Sequence, residues 1–362
     1  AWLDSAAWGK ILIACYVLIA ILPVLIAFLF PPVAGEPLLV TIGKATGLAG
    51  FSVVFLQVML TARFRPIDRP YGLDQVTYFH TKAATLAGIL LLLHPLLIIL
   101  GGQHWGLLSF SVPWPINLGK LALIFLWGAI IFAWYFFDWG IEYQTWRRMH
   151  KFIILVPVLG FIHSIYAGDE LQQGFLRGWW IGLIVIAAGI FLYRNIGRLF
   201  FGPSYRVASV LPESHDTYTI QLEPEKGKCP PHRPGQFMFL RIRLPNGRSE
   251  EHPFTISSTP SRECPMCATI KESGDFTDQI SHLRQGDSVL VEAPFGRYSF
   301  MYHDPVRLVY IAGGVGITPI MSMLRYIRDS ELDIPVTLIW GNKSRKDILF
   351  QKELEDRKST RL

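Results

Sequence analysis

Four histidines lie near the ends of two long apolar stretches. His80 and His94 are 14 residues apart in the first stretch, and His150 and His163 are 13 apart in the second. In a helix, 14 residues span roughly 21 Å, too far for one metal ion but suited to two cofactors stacked across a bilayer core of about 30 Å. A lone membrane histidine is often only a packing residue, but two pairs at near-equal spacing favour ligation. The pattern predicts two haems, each bound by one histidine from each stretch.

The two histidine pairs differ in their angular relation around a helix. At roughly 100° per residue, His94 returns to within about 40° of His80, whereas His163 lies about 140° from His150. Pro157 lies midway between His150 and His163, and proline removes one helical hydrogen bond. We therefore expect the second stretch to depart from a regular helix around Pro157.

Six apolar stretches are long enough to cross a membrane. Their approximate bounds are 8–30, 39–61, 74–100, 118–138, 147–167 and 178–200. Basic residues concentrate in alternate short loops, as at Arg63, Arg65 and Arg69, whereas residues 101–117 contain none. The basic side is expected to be cytoplasmic. Both chain ends and everything after the sixth stretch then lie in the cytoplasm.

This orientation pairs the histidines by depth. His80 and His150 lie near the cytoplasmic face and form the inner pair, and His94 and His163 form the outer pair. Arg147, close to the inner pair, could bind haem propionates or could simply follow the positive-inside rule. The sequence leaves both readings open.

The chain changes character along its length. It has 362 residues, 51% of them hydrophobic, and a formal net charge of +6. Residues 1–202 are mostly apolar, 203–304 are rich in charge, proline and short strands, and 305–362 follow a strand–helix–strand pattern. The positive charge needs no nucleic acid to explain it, since much of it lies at the ends of the apolar stretches, and no obligatory protein partner is evident. Four cysteines suggest no disulfide framework, and Cys264 and Cys267 are expected to be reduced thiols.

Short strands with turn signals fill residues 203–304. Their positions are 205–210, 217–222, 236–243, 266–272 and 287–292, which predicts a small antiparallel β-barrel. One run in it places an aromatic ring, hydroxyls and backbone amides together, as a flat ring with a polar tail would require. The run contains His252, Pro253, Phe254, Thr255 and Ser257.

A second motif in the same region joins a strand end to a helix start. Backbone amides at such a start can bind a pyrophosphate. The residues are Lys271, Gly274, Asp275, Phe276 and Thr277.

A glycine-rich turn follows the apolar strand 306–312 and precedes the predicted helix 320–328. Glycines there let the backbone approach phosphates, and the helix start favours anions. The predicted nucleotide-binding residues are Gly313, Gly314, Val315, Gly316, Thr318 and Pro319. Arg345 follows a second strand, 336–340, where a basic group could pair with the 2′-phosphate of NADPH, or could be an exposed turn residue.

Together these motifs resemble the ferric reductase and NADPH oxidase superfamily. The four histidines are followed by His252–Thr255, Gly274–Thr277 and Gly313–Pro319 in this order. The resemblance covers essentially the whole chain and implies two b-type haems. It also implies FAD at His252–Ser257, the flavin run, and NADPH at Gly313–Pro319, the glycine run. The 12 residues between His150 and His163 are more typical of oxidases, and the chain is similar to the simple bacterial branch.

The expected fold is a multidomain membrane protein: a six-helix transmembrane haem bundle, an antiparallel β-barrel FAD domain and a partial α/β nucleotide-binding domain. The last part is roughly half the expected size of such a domain, so we expect a piece of a longer protein. The expected location is the bacterial plasma membrane, with the FAD and NADPH module in the cytoplasm.

The expected activity is that of an NADPH oxidase-type enzyme. Electrons would pass from NADPH through FAD and the haems to dioxygen, giving superoxide. A ferric-chelate reductase is the alternative, and a haem subunit serving a partner protein or quinone is the second. The outer loops show no obvious chelating cluster, only His104, Asp169 and Glu170, which favours a small neutral acceptor.

Overall fold

A computed structural model describes residues 2–30, 35–172, 174–197, 203–243, 249–260 and 265–359. The chain divides into two compact units, residues 1–196 and 197–362. Each unit has its own buried hydrophobic core.

The first unit is helical. Among its described residues, six segments are long and apolar enough to cross a membrane, which confirms the number and order of the predicted spans. They are α1 (Ala6–Leu29), α2 (Leu38–Leu60), α4 (Leu73–Gly102), α5 (Trp114–Tyr135), the combined segment Tyr143–Ala167, and α8 (Gly174–Leu192), which a π-helical turn extends (Tyr193–Gly197). The short helix α3 (Arg65–Tyr71) precedes α4. The predicted end of the sixth span, 198–200, lies outside the described residues.

Helix α2 is the most buried of the six described spans. It packs against α4 through small residues, because a side chain cannot fit where the two backbones approach. A Cβ at Gly50 would lie 2.9 Å from the Leu91 side chain, and one at Gly43 would lie 3.1 Å from the His94 carbonyl oxygen. Close approach through small residues is a common way to pack membrane helices.

The fifth span departs from a regular helix, as predicted, but not at the expected position. Helix α6 (Tyr143–His150) passes into a 3-10 segment (Lys151–Ile154) and then into α7 (Leu155–Ala167). Pro157 lies in the first turn of α7, where a missing N–H removes no helical bond. A 3-10 helix turns by about 120° per residue, against about 100° in an α-helix. Over four residues this difference reduces the angle around the helix axis between His150 and His163 from roughly 140° to roughly 60°.

The second unit begins with a six-stranded antiparallel sheet in the order β4-β3-β6-β1-β2-β5. Its strands are β1 (Ser204–Pro212), β2 (Thr217–Pro224), β3 (Phe237–Arg243), β4 (Ser249–Thr255), β5 (Met266–Lys271) and β6 (Ser288–Phe295). The expectation of a closed barrel is wrong. Among the described residues, the two edge strands are joined only by an isolated bridge from Ile256 to Ala268, so the sheet stays open.

Strand β4 carries the flavin run and was missing from the predicted strands. Its signal is weak because Glu250, Glu251 and Pro253 interrupt the apolar pattern. Proline is tolerated on an edge strand, where alternate N–H groups have no neighbour to bond. The five other strands lie where the sequence placed them.

The nucleotide lobe follows in the same unit. Strand β7 (Leu308–Gly313) leads through a 3-10 turn (Gly314–Ile317) into α9 (Thr318–Asp329), and β8 (Val336–Gly341) pairs with β7 in parallel. This confirms the predicted strand–helix–strand order. Helix α10 (Gln351–Ser359) was not predicted.

Candidate functional site

The outer histidines face each other across two helices, α4 and α7. The ring centroids of His94 and His163 are 6.3 Å apart, and the ring planes are inclined by 76°. Each Nδ1 lies within hydrogen-bond distance of a backbone carbonyl oxygen: Gly43 at 2.8 Å and Pro115 at 2.9 Å. Because a carbonyl can only accept, both Nδ1 atoms carry the proton, and both Nε2 atoms keep a lone pair for a metal.

Two glycines make room for these imidazoles. A Cβ at Gly47 on α2 would lie 2.5 Å from Nδ1 of His94, and one at Gly119 on α5 would lie 2.8 Å from Nδ1 of His163. Any larger residue would displace the rings. The sequence analysis missed both glycines, although Gly43 and Gly47 are four residues apart, a spacing typical of close helix contacts.

The inner histidines have the same mutual geometry but different neighbours. The ring centroids of His80 and His150 are 6.4 Å apart, with planes inclined by 81°. The Nδ1 atoms of both are buried without a hydrogen-bond partner among the described residues. Instead, Trp146 stacks on His150 at 5.1 Å, and Phe136 stacks on Trp146 at 4.8 Å.

Both pairs fit a bis-histidine haem. Two imidazoles that share one iron, with a metal–nitrogen bond of about 2.0 Å and roughly 1.1 Å from nitrogen to ring centre, would have their ring centres about 6.2 Å apart. The observed separations of 6.4 and 6.3 Å match this value. Arg147 is half-buried in the turn before His150. The residues that would hold the haems are therefore His80 with His150 and His94 with His163.

The flavin run brings aromatic side chains together from two segments. His252 in β4 stacks on Phe276 at 3.9 Å, and Phe254 lies nearly parallel to Phe276 at 6.1 Å. Nε2 of His252 is 3.2 Å from a Glu250 carboxylate oxygen. Phe276 is only 6% exposed and belongs to the core of the sheet. The cluster therefore places two phenyl rings and an imidazole together at β4.

The end of the flavin run is held by its neighbours. Thr255 pairs with Phe237 at the last position of the β3–β4 ladder, and Pro253 is exposed. Ser257 is fully buried. Its hydroxyl oxygen accepts a hydrogen bond from the Thr269 hydroxyl at 3.0 Å, and its carbonyl oxygen accepts one from Arg325 at 2.6 Å.

The predicted pyrophosphate motif is partly occupied by its own side chains. The expected helix is a six-residue 3-10 helix, 277–282. The Ser273 amide donates to the Thr277 hydroxyl at 2.8 Å, and the Gly274 amide lies 3.3 Å from the Asp278 carboxylate. Asp275 is exposed. These two amides already have partners, so they do not form the open amide cradle expected from the sequence.

Lys271 is also engaged. Its ammonium lies 2.9 Å from Asp216 and 3.7 Å from Asp347 of the nucleotide lobe. The hydrogen bond to Asp216 raises the pKa of Lys271. The lysine therefore links the sheet to the nucleotide lobe.

The glycine run faces open space. A Cβ added at Gly313, Gly314 or Gly316 would meet nothing within 4 Å, and Gly314 has φ of +48°. The Gly314 carbonyl oxygen accepts a hydrogen bond from the Trp340 indole at 3.0 Å, so β8 holds the turn. The run can therefore admit a phosphate close to its backbone.

The other predicted nucleotide residues surround this turn. Val315 is half-buried, Thr318 is 5% exposed, and Pro319 lies in the first turn of α9. Arg345 is exposed in the turn after β8, where Asp347 and Ser344 form a capping box.

The cysteines depart in part from expectation. Cys229 is disulfide-bonded, so the expectation of no disulfide is wrong for this residue. Cys267 is a free thiol, as expected, and burial raises its pKa to about 11. Cys264 lies outside the described residues.

Three family models match the chain in sequence. Residues 46–161 match "Ferric reductase like transmembrane component", 204–299 match an FAD-binding domain, and 310–361 match "Oxidoreductase NAD-binding domain". This order is the domain architecture of the NADPH oxidase and ferric reductase superfamily. The chain therefore combines a ferric reductase-like transmembrane component with an FAD-binding domain and an NAD-binding domain.

Similar proteins share only part of this architecture. The glycine betaine monooxygenase reductase subunit of Pseudomonas aeruginosa is 29% identical over 41% of this chain and 42% of its own length. The flavohemoprotein of Deinococcus radiodurans is 31% identical over 37% of this chain and 34% of its own length. The chain spans less than half the length of these relatives. The FAD/NAD domain of a Vibrio cholerae nitric oxide dioxygenase is 20% identical, with a TM-score of 0.41 over 44% of this chain and 70% of that one.

Proposed function

We propose that the protein transfers electrons from cytosolic NADPH, through FAD and two bis-histidine haems, to dioxygen at the outer face, giving superoxide. The observation that carries the proposal is the repeated imidazole geometry, 6.4 Å at one depth of the bundle and 6.3 Å at the other. Bound FAD would split an electron pair, and bound haem would carry single electrons across the bilayer. The basic loops support a cytoplasmic position for the flavin and nucleotide lobes.

The protein's own residues orient and insulate these groups. The Gly43 and Pro115 carbonyls fix the outer imidazoles with Nε2 turned away from the bond, and the Trp146 ring covers one inner imidazole. The Gly314 turn offers backbone space for a dinucleotide phosphate. Arg345 lies after β8, where its guanidinium would pair with the 2′-phosphate that NADPH carries and NADH lacks.

Charge at the outer end of α2 supports a neutral acceptor. Lys44 lies three residues before Gly47, and its ammonium is 2.6 Å from Glu36, 3.1 Å from Glu170 and 3.4 Å from Asp169. One cation among three carboxylates leaves a net negative charge. An anionic ferric chelate would be repelled, whereas dioxygen would not.

The ferric-chelate reductase is the second candidate. It is favoured by the match of residues 46–161 to a ferric reductase-like transmembrane component. A subunit that delivers electrons to a partner protein or quinone is a third reading. Oxygen consumption by the purified protein with NADPH alone would contradict that third reading.

Electron transfer is tested without oxygen. The full-length protein, with a complete nucleotide-binding domain, is purified in detergent with haem and FAD and mixed anaerobically with NADPH, and reduced-minus-oxidised spectra are recorded. We expect two haems per chain, both reduced by NADPH. One haem per chain, or haems that only dithionite reduces, would contradict the proposal.

A further inference from the structure

Helix α9 touches both halves of the cofactor module. Its first residue, Thr318, follows directly on the glycine run. Further along, Ser322 and Arg325 are three residues apart and so lie on one face of the helix. Both reach the end of the flavin run, so one rigid element spans the predicted nucleotide site and the predicted flavin site.

The contacts are to two consecutive backbone carbonyls. The Arg325 guanidinium donates through Nη1 to the Ser257 carbonyl at 2.6 Å, and the Ser322 hydroxyl donates to the Ser258 carbonyl at 2.7 Å. Ser257 and Ser322 are fully buried. Burial makes these bonds costly to remove, because the carbonyl oxygens would lose the hydrogen-bond donors that α9 supplies.

Arg325 is itself held from the other side. Its Nε and Nη2 atoms face the Glu353 carboxylate, with distances of 3.1 and 2.7 Å, and its guanidinium lies 4.9 Å from the Phe350 ring centre. The side chain is only 18% exposed. A planar guanidinium can serve a carboxylate and a carbonyl at once, which a lysine ammonium cannot do with the same geometry.

We propose that Arg325 is a positioning residue that holds the flavin run in register with the nucleotide lobe, so that FAD affinity and hydride transfer both depend on it. The inference rests on the proposed function in one respect: FAD lies at the flavin run. In the reaction, reduced nicotinamide loses a hydride, which is two electrons and one proton, and oxidised flavin gains it. A small displacement between the two lobes would slow this step sharply.

The test compares two arginines on the same helix in the full-length chain. Arg325→Gln removes the bond to the Ser257 carbonyl. Arg328→Gln is the matched control, because Arg328 is 55% exposed and reaches the same Glu353 at 3.6 Å. FAD affinity is measured by fluorescence titration of the flavin-free protein. We expect about ten-fold weaker FAD binding for Arg325→Gln and less than about a two-fold change for Arg328→Gln.

A second measurement separates positioning from simple binding. Flavin reduction is followed by stopped flow at saturating FAD, over a range of NADPH concentrations. For Arg325→Gln we expect about a ten-fold lower limiting rate, with the half-saturating NADPH concentration unchanged. Arg325→Lys keeps the positive charge and serves as the test if the glutamine variant does not fold. Its FAD affinity and limiting rate should lie between those of wild type and of Arg325→Gln.

Three results would decide against the inference. Equal FAD affinity in Arg325→Gln and Arg328→Gln would overturn it. So would an unchanged limiting rate, or a loss confined to NADPH affinity. A wild-type protein that binds FAD but is reduced by neither NADPH nor NADH would instead contradict the proposed function, and the FAD comparison would still decide the role of Arg325.

Discussion

The two imidazole pairs share one spacing but are fixed by different residues. The outer rings are held by hydrogen bonds from Nδ1 to carbonyl oxygens, whereas an inner ring is covered by Trp146. A carbonyl acceptor makes an imidazole a stronger electron donor to its metal. A metal bound at the outer pair would therefore receive stronger donation from its imidazoles than one bound at the inner pair.

Replacing one outer ligand should remove one haem. In His94→Ala or His163→Ala, the outer site loses half of its ligands, while His80 and His150 are untouched. We expect haem content to halve, and the inner haem to keep a low-spin spectrum. Pyridine haemochrome assays measure the haem content, and low-temperature EPR reports the spin state of the haem that remains. Full haem content in either variant would exclude the assigned ligands.

Asp68 should make stability depend on pH. It lies in α3, is 6% exposed, and neither carboxylate oxygen has a hydrogen-bond partner among the described residues. Burial raises the pKa of Asp68 to about 7, although Arg63 and Arg194 lower it. Since an unfolded chain releases this proton near pH 4, the free energy of unfolding should fall between about pH 4 and pH 7.

Asp68→Asn removes this penalty. At about pH 8 we expect the variant to melt at a higher temperature than wild type, with a free energy of unfolding larger by up to roughly 3 kcal/mol. At about pH 4 we expect no difference between the two proteins. Thermal unfolding in detergent at the two pH values measures it. Asp74→Asn, at an exposed position, is the control and should change neither value. A gain of equal size at both pH values would show that the effect is not the titration of Asp68.

At the scale of elements, the long apolar stretches and the strand–helix–strand unit could be read from the sequence because their periodicity is strong. The 3-10 segment before Pro157 could not, because histidine spacing shows that a helix must change phase but not where. Strand β4 was missed since edge strands tolerate Pro253 and charge. Whether the sheet closes into a barrel depends on how many residues of β4 and β5 pair with each other. These strands are distant in sequence, so no local pattern predicts their pairing.

Helix contacts also explain residues that carry no chemistry. Gly47 on α2 and Gly119 on α5 lie against the two outer imidazoles, as the helix packing requires. Sequence reasoning singled out the four histidines because imidazole is rare in a membrane. It did not find the glycines, because their role depends on which helices are neighbours.

Gly47→Ala should therefore impair the outer site without touching a ligand. Its Cβ would lie 2.5 Å from Nδ1 of His94, which forces the ring to move. We expect a haem assay to show loss of roughly half the haem. If the haem is retained, we expect redox titration to show a shifted potential for the outer haem. Gly128→Ala on α5 is the control, since a Cβ there meets nothing within 4 Å. The same haem loss in both variants would mean that it reflects general helix disturbance.

At the scale of the whole molecule, the predicted cofactor-binding residues are distributed over two units. The helical unit carries the two imidazole pairs, and the second unit carries the flavin run and the glycine turn. The sequence could predict this division because membrane and soluble segments differ in composition. It could not predict that Arg325 and Lys271 join the sheet to the nucleotide lobe, because both contacts connect distant parts of the chain.

The electron acceptor is a property of the outer face as a whole. The cluster of Lys44 with Glu36, Asp169 and Glu170 carries a net charge of −2, so we expect it to disfavour the approach of anionic ferric chelates and to be indifferent to dioxygen. We expect NADPH-driven cytochrome c reduction that superoxide dismutase largely suppresses, and slow anaerobic reduction of ferric citrate. Because the repulsion is electrostatic, the ferric rate should rise at high salt while the oxygen rate stays constant. Fast ferric reduction without oxygen, with a cytochrome c signal that dismutase does not affect, would replace the oxidase with the ferric reductase.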